Sequence, residues 1–537
     1  MKKTFISAAA ILAFAATAHA DELSDIQAQA KQLREQMTKR IADLEKRQKA
    51  LEAQKTAVPT ISPVDAMAAD LPYKAAVKAK PPENDDICIK GICVYGDFDM
   101  GATYIQHSAP YAAVAGGPLD TLVSKNGGVG SYFGVGANQM STSFIGLRGK
   151  QEIADNLYAV FNLQTLFNPA SGMNASGTGS IALNNGISTN FAQQNSFGDS
   201  SKGGQMFNNA AYFGISSPTY GTFTMGRQSA LTSDLIVNYD PLSGSNSWSV
   251  ITYQGANGGG GDTENRILDN SYEYRVSIGP VRLAGEIQAR NGGNSGTGNA
   301  FEGNIGFDYM GFSMDFVGGK VFDAISAAPL SAAQLAASVT TVSAGYGLLG
   351  ATVSDNTVFS VGARYAIGPW KLFAGYEHID YSNPNNPLNQ GAFLQGGFIG
   401  GAGGALNNTN FTTDKILQTA WFGVRYSITP ALDITGAYYH EWQNSFVIGN
   451  GSNPTGTCST AAVSAGCSGT LDAVSLVLDW RFAKHVDMYA GVMWSQVQGG
   501  LANGFVGTTV NAQGVALANP GNKSSNYDPG IGLRYQF

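Results

Sequence analysis

Arg148, Arg275, Arg282, Arg290, Arg364, Lys371, Arg425, Arg481 and Arg534 stand at one phase of short stretches in which polar and apolar residues alternate. In 271–278, Ser271, Glu273, Arg275 and Ser277 take one phase, and Tyr272, Tyr274, Val276 and Ile278 the other. In 474–482, Ser475, Asp479 and Arg481 oppose Val474, Leu476, Leu478, Trp480 and Phe482. Fixed cations spaced this way act without making bonds: lining water, they set a field that sorts ions and orients dipolar solutes. Few acids accompany them, so the row requires either water or an opposing acidic element. The connection 229–268 is the candidate element, since it carries Asp234, Asp240, Asp262 and Glu264. On the residues alone two readings stay open. Folded inward, the connection narrows an aqueous passage; folded outward, its carboxylates are simply solvated.

Other chemistry is weakly represented. Beyond the first twenty residues the histidines are His107, His378, His440 and His485. His440 precedes Glu441 and His378 follows Glu377, but no nucleophile signature accompanies either, so an enzyme reading is set aside. Cys88 and Cys93 form a C-x4-C pair, and Cys458 and Cys467 a C-x8-C pair. Neither has a histidine nearby, which argues for two disulfides in an oxidising compartment rather than for a metal site. No cofactor motif is recognised. The net charge of -7 and the lack of a basic patch argue against a nucleic-acid partner.

The elements that must position these residues come in three regions. Residues 1–20 read as a signal peptide: Lys2 and Lys3, the apolar run Phe5 to Ala16, and the Ala18-His19-Ala20 cleavage site. Residues 21–56 lack Gly and Pro, and carry apolar positions at Leu23, Ile26, Ala30, Leu33, Met37, Ile41, Leu44 and Leu51. That seam predicts a coiled-coil helix, which needs partner helices. Residues 57–86, with Pro59, Pro63, Pro72, Pro81 and Pro82, read as a semi-extended linker.

From 87 to 537 the period is two. Seven hairpins are predicted, at 142–167, 211–228, 271–289, 305–321, 358–379, 417–439 and 474–494, with further strands at 93–106 and 530–537. That makes about sixteen strands, and short turns alternate with long Gly-, Asn- and Ser-rich connections, as in a transmembrane antiparallel β-barrel. An open sheet edge cannot exist in hydrocarbon, so the sheet must close, and Ile531 to Phe537 becomes the strand that meets the first. The greasy face then points to lipid, the charged face lines water, and Tyr365, Trp370, Tyr426, Trp480, Phe482, Tyr535 and Phe537 form an aromatic belt.

Three stretches are similar to the general trimeric porins of Gram-negative bacteria: Ser143-Phe-Ile-Gly-Leu-Arg-Gly-Lys-Gln-Glu-Ile153, Tyr212-Phe-Gly-Ile215 with Tyr220-Gly-Thr-Phe-Thr-Met-Gly-Arg-Gln228, and Gly532-Leu-Arg-Tyr-Gln-Phe537. The resemblance implies an outer-membrane, homotrimeric, sixteen-stranded diffusion pore with its third loop folded inward. It carries over Arg148 and Arg227 as pore-wall cations and Asp234 and Asp240 as loop acids, although Arg227 breaks the alternation set by Phe223 and Met225. It implies that Phe537 is read by the barrel-assembly machinery, and that lipid and lipopolysaccharide surround the wall. The helix and linker depart from the family pattern; in a trimer, a helical stalk would stand in the periplasm within reach of the cell wall. Two rival functions remain. A solute-specific channel, for instance one for sugars, is suggested by Phe373, Trp421 and Tyr439 at lumen phase. A structural anchor is suggested by the coiled coil.

Overall fold

A computed structural model describes residues 87–89, 91–106, 131–172, 174, 205–251, 266–289, 299–329, 349–387, 406–409, 411–448, 468–499, 509–510, 516–517 and 523–537, with Lys31, Glu35 and Lys39 in the amino-terminal region. The chain divides into two units, Met1–Ser62 and Pro63–Phe537. In the first, Lys31, Glu35 and Lys39 are helical and exposed, and their four-residue spacing puts them on one face. The signal peptide, the coiled-coil seam, the linker, Arg290, Asp262, Glu264, Cys458 and Cys467 lie outside the described residues.

Among the described residues of the second unit, sixteen antiparallel strands close into a ring. They are β1 (Ile92–Ile105), β2 in two pieces (Tyr132–Ala137 and Phe144–Ala154), β3 (Leu157–Leu166), β4 (Ala210–Ser217), β5 (Gly221–Ser229), β6 (Ile267–Ile278), β7 (Val281–Gln288) and β8 (Ala300–Tyr309). The second half of the ring is β9 (Phe312–Pro329), β10 (Leu349–Ile367), β11 (Trp370–Ser382), β12 (Lys415–Thr429), β13 (Leu432–Gln443), β14 (Gly469–Ala483), β15 (Val486–Gly499) and β16 (Lys523–Gln536). One helix, α1 (Leu231–Tyr239), follows β5. All seven expected hairpins form. Their turns carry suitable residues: Met310 and Gly311 both have positive φ, at 47° and 83°, the geometry that lets a two-residue turn follow the sheet twist.

The faces divide as the alternation requires. On β14, Val474, Leu476, Leu478, Trp480 and Phe482 are exposed, while Ser475 and Val477 are buried. On β6 and β7, Tyr272, Tyr274, Ile278, Leu283 and Ile287 point outward; Ser271, Glu273, Glu286 and Gln288 are buried inside. Such an outward apolar surface is stable only against lipid.

Closure runs from Asp97 opposite Gln536 to Thr103 opposite Gly530. The main chain of Phe537 exchanges two hydrogen bonds with Gly96, at 2.9 and 3.1 Å. Beyond this point β16 has ended, and a short strand, Ile87–Ile89, takes over the same edge of β1 and pairs Ile87 with Val94 and Ile89 with Ile92. The Cys88–Cys93 disulfide clamps this hairpin.

Three features depart from expectation. Tyr132–Ala137 is a strand piece inside what reads as the first long connection. Its two glycines weaken the period-two signal. Residues 138–143 then interrupt β2 and turn inward, with Asn138 at φ 58°. Finally, β9 and β10 run well past the expected ends into the 322–356 connection.

The seam has little tolerance for bulk. A Cβ on Gly101 would lie 1.9 Å from the Ile531 carbonyl oxygen, whereas one on Gly303 would meet nothing. Gly101→Val is expected to abolish the folded, heat-modifiable band in detergent gels, and Gly303→Ala to leave it unchanged. A normal band for Gly101→Val would contradict this register.

Candidate functional site

The segment after β5 turns onto the inner face of the ring. Helix α1 starts behind Ala230, which offers no side-chain cap. Its free N–H groups find a wall carboxylate instead: Thr232 donates its backbone N–H to Glu302 Oε2 at 3.0 Å and its hydroxyl to Oε1 at 3.2 Å. A negative charge at a helix N-terminus is favourable on both counts. Leu231, Leu235, Ile236, Tyr239, Leu242, Trp248, Val250 and Ile251 pack with Val317, Val358, Ile379, Leu417, Trp421, Tyr439, Ala473, Val477 and Tyr489. These wall residues all share the inward phase of β9–β15 and bury an apolar cluster together with the segment.

The far end of the segment is also tied. Ser245 Oγ and Ser247 N–H donate to the Gln139 carbonyl at 2.9 and 3.0 Å, and Asn246 Nδ2 donates to the Asn138 carbonyl at 3.0 Å. The interruption of β2 therefore serves as a dock. Asp99 holds it in place, accepting from the backbone N–H groups of Met140 and Ser141 at 2.7 Å each, and from the Tyr489 hydroxyl. Trp248 Nε1 donates to the Asp528 carbonyl at 3.1 Å, and Ser475 Oγ to the Trp248 carbonyl at 2.6 Å.

Four of the expected cations meet the segment. Arg275 pairs with Asp234 and with Glu273. Arg282 donates to the Tyr239 hydroxyl at 3.0 Å. Arg364 lies over the Tyr239 ring at 5.7 Å and donates to the Asn238 carbonyl at 3.4 Å. Arg425 donates to the Pro241 carbonyl at 2.7 Å and lies over Phe373. Lys371 stands opposite Arg425 in register. Arg148 is elsewhere on the wall, 4.8 Å over the Tyr95 ring. Arg227 owes its facing to a bulge: the register slips between Gly226 and Gln228, and the side chain turns in to Asp269 and the Asn208 carbonyl.

The expectation of few acids beside the arginines is corrected. Arg282 pairs with Asp308 and Asp315, Arg481 with Asp433 and Asp479, and Arg534 with Asp487. Asp308, Asp433 and Asp487 sit on adjacent strands and Asp315 two strands away, at sequence distances that hide them; Asp479 shares β14 with Arg481. Asp240 accepts from the Tyr439 hydroxyl and the Gly244 N–H, both at 2.6 Å. Burial raises its carboxyl above the ordinary range. Burial likewise pushes Asp234 up to about 6, against the opposing pull of Arg275.

Phe373, Trp421 and Tyr439 have the inward phase expected of them, but Trp421 and Tyr439 pack against the segment and Phe373 lies under Arg425. Trp421 Nε1 donates to the Tyr239 carbonyl at 3.0 Å. Tyr439 is fully buried, whereas Tyr438 is 44% exposed on the outer face. A buried hydrogen bond to a charged group contributes about 1.5–3 kcal/mol. Tyr439→Phe is therefore expected to lower the denaturant-unfolding free energy of the detergent-solubilised barrel by about that amount, and Tyr438→Phe by much less. Equal effects would argue against the docked segment.

Comparison with known proteins agrees with this geometry. The sequence profile of the Gram-negative porins matches residues 7–500. No curated protein matches in sequence. Among solved structures, the anion-selective porin from Comamonas acidovorans superposes with a TM-score of 0.50 at 15% identity, covering 83% of this chain and 99% of that one. A loop-deletion variant of OmpT, an outer membrane protein of Vibrio cholerae, gives 0.48 at 12% identity over 83% and 99%. The outer membrane channel DcaP of Acinetobacter baumannii gives 0.45 at 12% identity over 83% and 97%. At these identities the likeness is one of fold. With the profile spanning nearly the whole sequence and the sheet closed into a sixteen-stranded barrel, the chain belongs to the Gram-negative porin family of bacterial outer-membrane channel proteins.

Proposed function

We propose that the chain is a water-filled diffusion channel for ions and small hydrophilic solutes, narrowed where residues 231–251 cross the wet face. One observation carries this reading: a segment tied at both ends is docked inside a ring whose outer face is apolar. In this reading Arg148, Arg227, Arg275, Arg282, Arg364, Lys371 and Arg425 act as wall cations, and Asp234 and Asp240 as acids of the narrow zone. Lipid and lipopolysaccharide surround the wall, and three copies stand side by side. The amino-terminal helix lies in the periplasm and contacts the cell wall. A sugar-selective channel draws less support, because the segment covers Trp421 and Tyr439 and Arg425 lies over Phe373.

Purified protein in a planar bilayer is expected to open in steps of three; a membrane that stays silent would refute the channel. Charge at Asp234 adds a pH dependence. The folded chain holds this proton more tightly than an unfolded one, so its favourable effect on folding is complete below the ordinary value of 3.8 and gone above about 6. Acidifying from about pH 7.5 to about pH 5 neutralises the group. The reversal potential in a salt gradient is expected to move toward anions, and to move less in Asp234→Asn. Identical titrations in the two proteins would remove Asp234 from the conducting zone.

A further inference from the structure

Three rings of the docked segment rest on glycines of the wall. A Cβ on Gly362 of β10 would lie 2.6 Å from Tyr239 Cβ. One on Gly423 of β12 would lie 2.2 Å from Pro241 Cγ, and one on Gly491 of β15 would lie 2.7 Å from Trp248 Cδ2. Gly530 of β16 pairs directly with Gly491 and would bring a Cβ to 3.1 Å from the same indole. Real Cβ atoms essentially never come within 3.0 Å, so Gly362, Gly423 and Gly491 leave no room for one against these rings; at Gly530 the ring is merely tight, and the Gln139 amide oxygen is the nearer obstacle. None of the four has a positive φ. Their backbones are extended and suit any residue, and space alone calls for glycine.

Resting on the channel reading above, we infer that Gly362, Gly423, Gly491 and Gly530 are positioning residues that set the width of the passage. The rings of Tyr239, Pro241 and Trp248 lie on bare backbone, which draws the segment one side-chain layer toward β10–β16 and leaves the remaining bore to solute. Arg425, Tyr439 and the β2 dock hold the segment along its length, so an added methyl group displaces it rather than releasing it. The displacement is toward the bore, by about 1 Å at Gly423. The glycines touch no solute; they act through the three rings.

The test is single-channel conductance together with the largest neutral sugar admitted in liposome swelling. Gly423→Ala and Gly491→Ala are expected to lower both while keeping a heat-modifiable barrel. Gly436→Ala, where a Cβ meets nothing, is the control and is expected to match the wild type. The decisive arm is a double-mutant cycle. Trp248→Ala is expected to raise conductance, and adding Gly491→Ala to it is expected to have no further effect, because the ring the methyl would strike is gone. Conductance unchanged or raised in folded Gly423→Ala and Gly491→Ala would overturn the inference. So would a conductance loss in Gly491→Ala that persists in full without Trp248. If either glycine variant fails to fold, the Trp248→Ala arm decides: its conductance must rise. A wild type that does not conduct would instead strike the channel reading itself.

Discussion

Hydrocarbon offers no hydrogen-bond partner, and that single fact organises this molecule. Every backbone N–H and C=O of a strand at membrane depth must find another strand. The sheet therefore closes, and β16 meets β1 with the last residue still in the ladder, Phe537 against Gly96. Closure fixes the alternation in turn. Once the outer face is committed to lipid, polar side chains have only the interior, where they are paired or wet. The acid–base pairs of Arg282, Arg481 and Arg534 follow from this crowding as much as from any role in transport.

The interior is not uniformly wet. Along β9 to β15 inward apolar side chains, interspersed with buried acids such as Glu377 and Glu441, pack against residues 231–251. Burial of a large apolar side chain is favourable by about 1.5–3 kcal/mol, so Leu235, Ile236 and Trp248 offset part of the entropy lost in ordering the segment. Hydrogen bonds then fix where it sits. Glu302 caps the start of the helix, Asp240 the chain that leaves it, and the interruption of β2 receives the tip. A segment held this way behaves as part of the wall.

Much of this was legible in the sequence, and the limits have physical causes. The hairpins were readable because tight turns demand particular residues, as at Gly279-Pro280 and Met310-Gly311, and because lipid enforces period two. The inward cations were readable for the same reason. The interruption of β2 was not, because Asn138 to Ser143 has the composition of any polar connection and its meaning lies in contacts with residues more than a hundred positions away. The acid partners of the arginines were missed on similar grounds: Asp315 meets Arg282 across the interior from two strands further on. Arg227 needed the bulge at Gly226, which alternation cannot forecast. The wall glycines carried no signal of their own in a chain holding 68 of them.

The clamped hairpin at the start of the barrel has a mechanical consequence. Tension arriving at Ile87 would, without a crosslink, act on a ladder of three residue pairs and peel them one after another. The sulfur bridge passes the load covalently from Cys88 to Cys93, and so into β1, which is bonded along its length to both neighbours. Force then meets the wall in shear, with many hydrogen bonds sharing it at once. A pull on the chain at Ile87 is thus borne by the barrel, and the hairpin is its shackle.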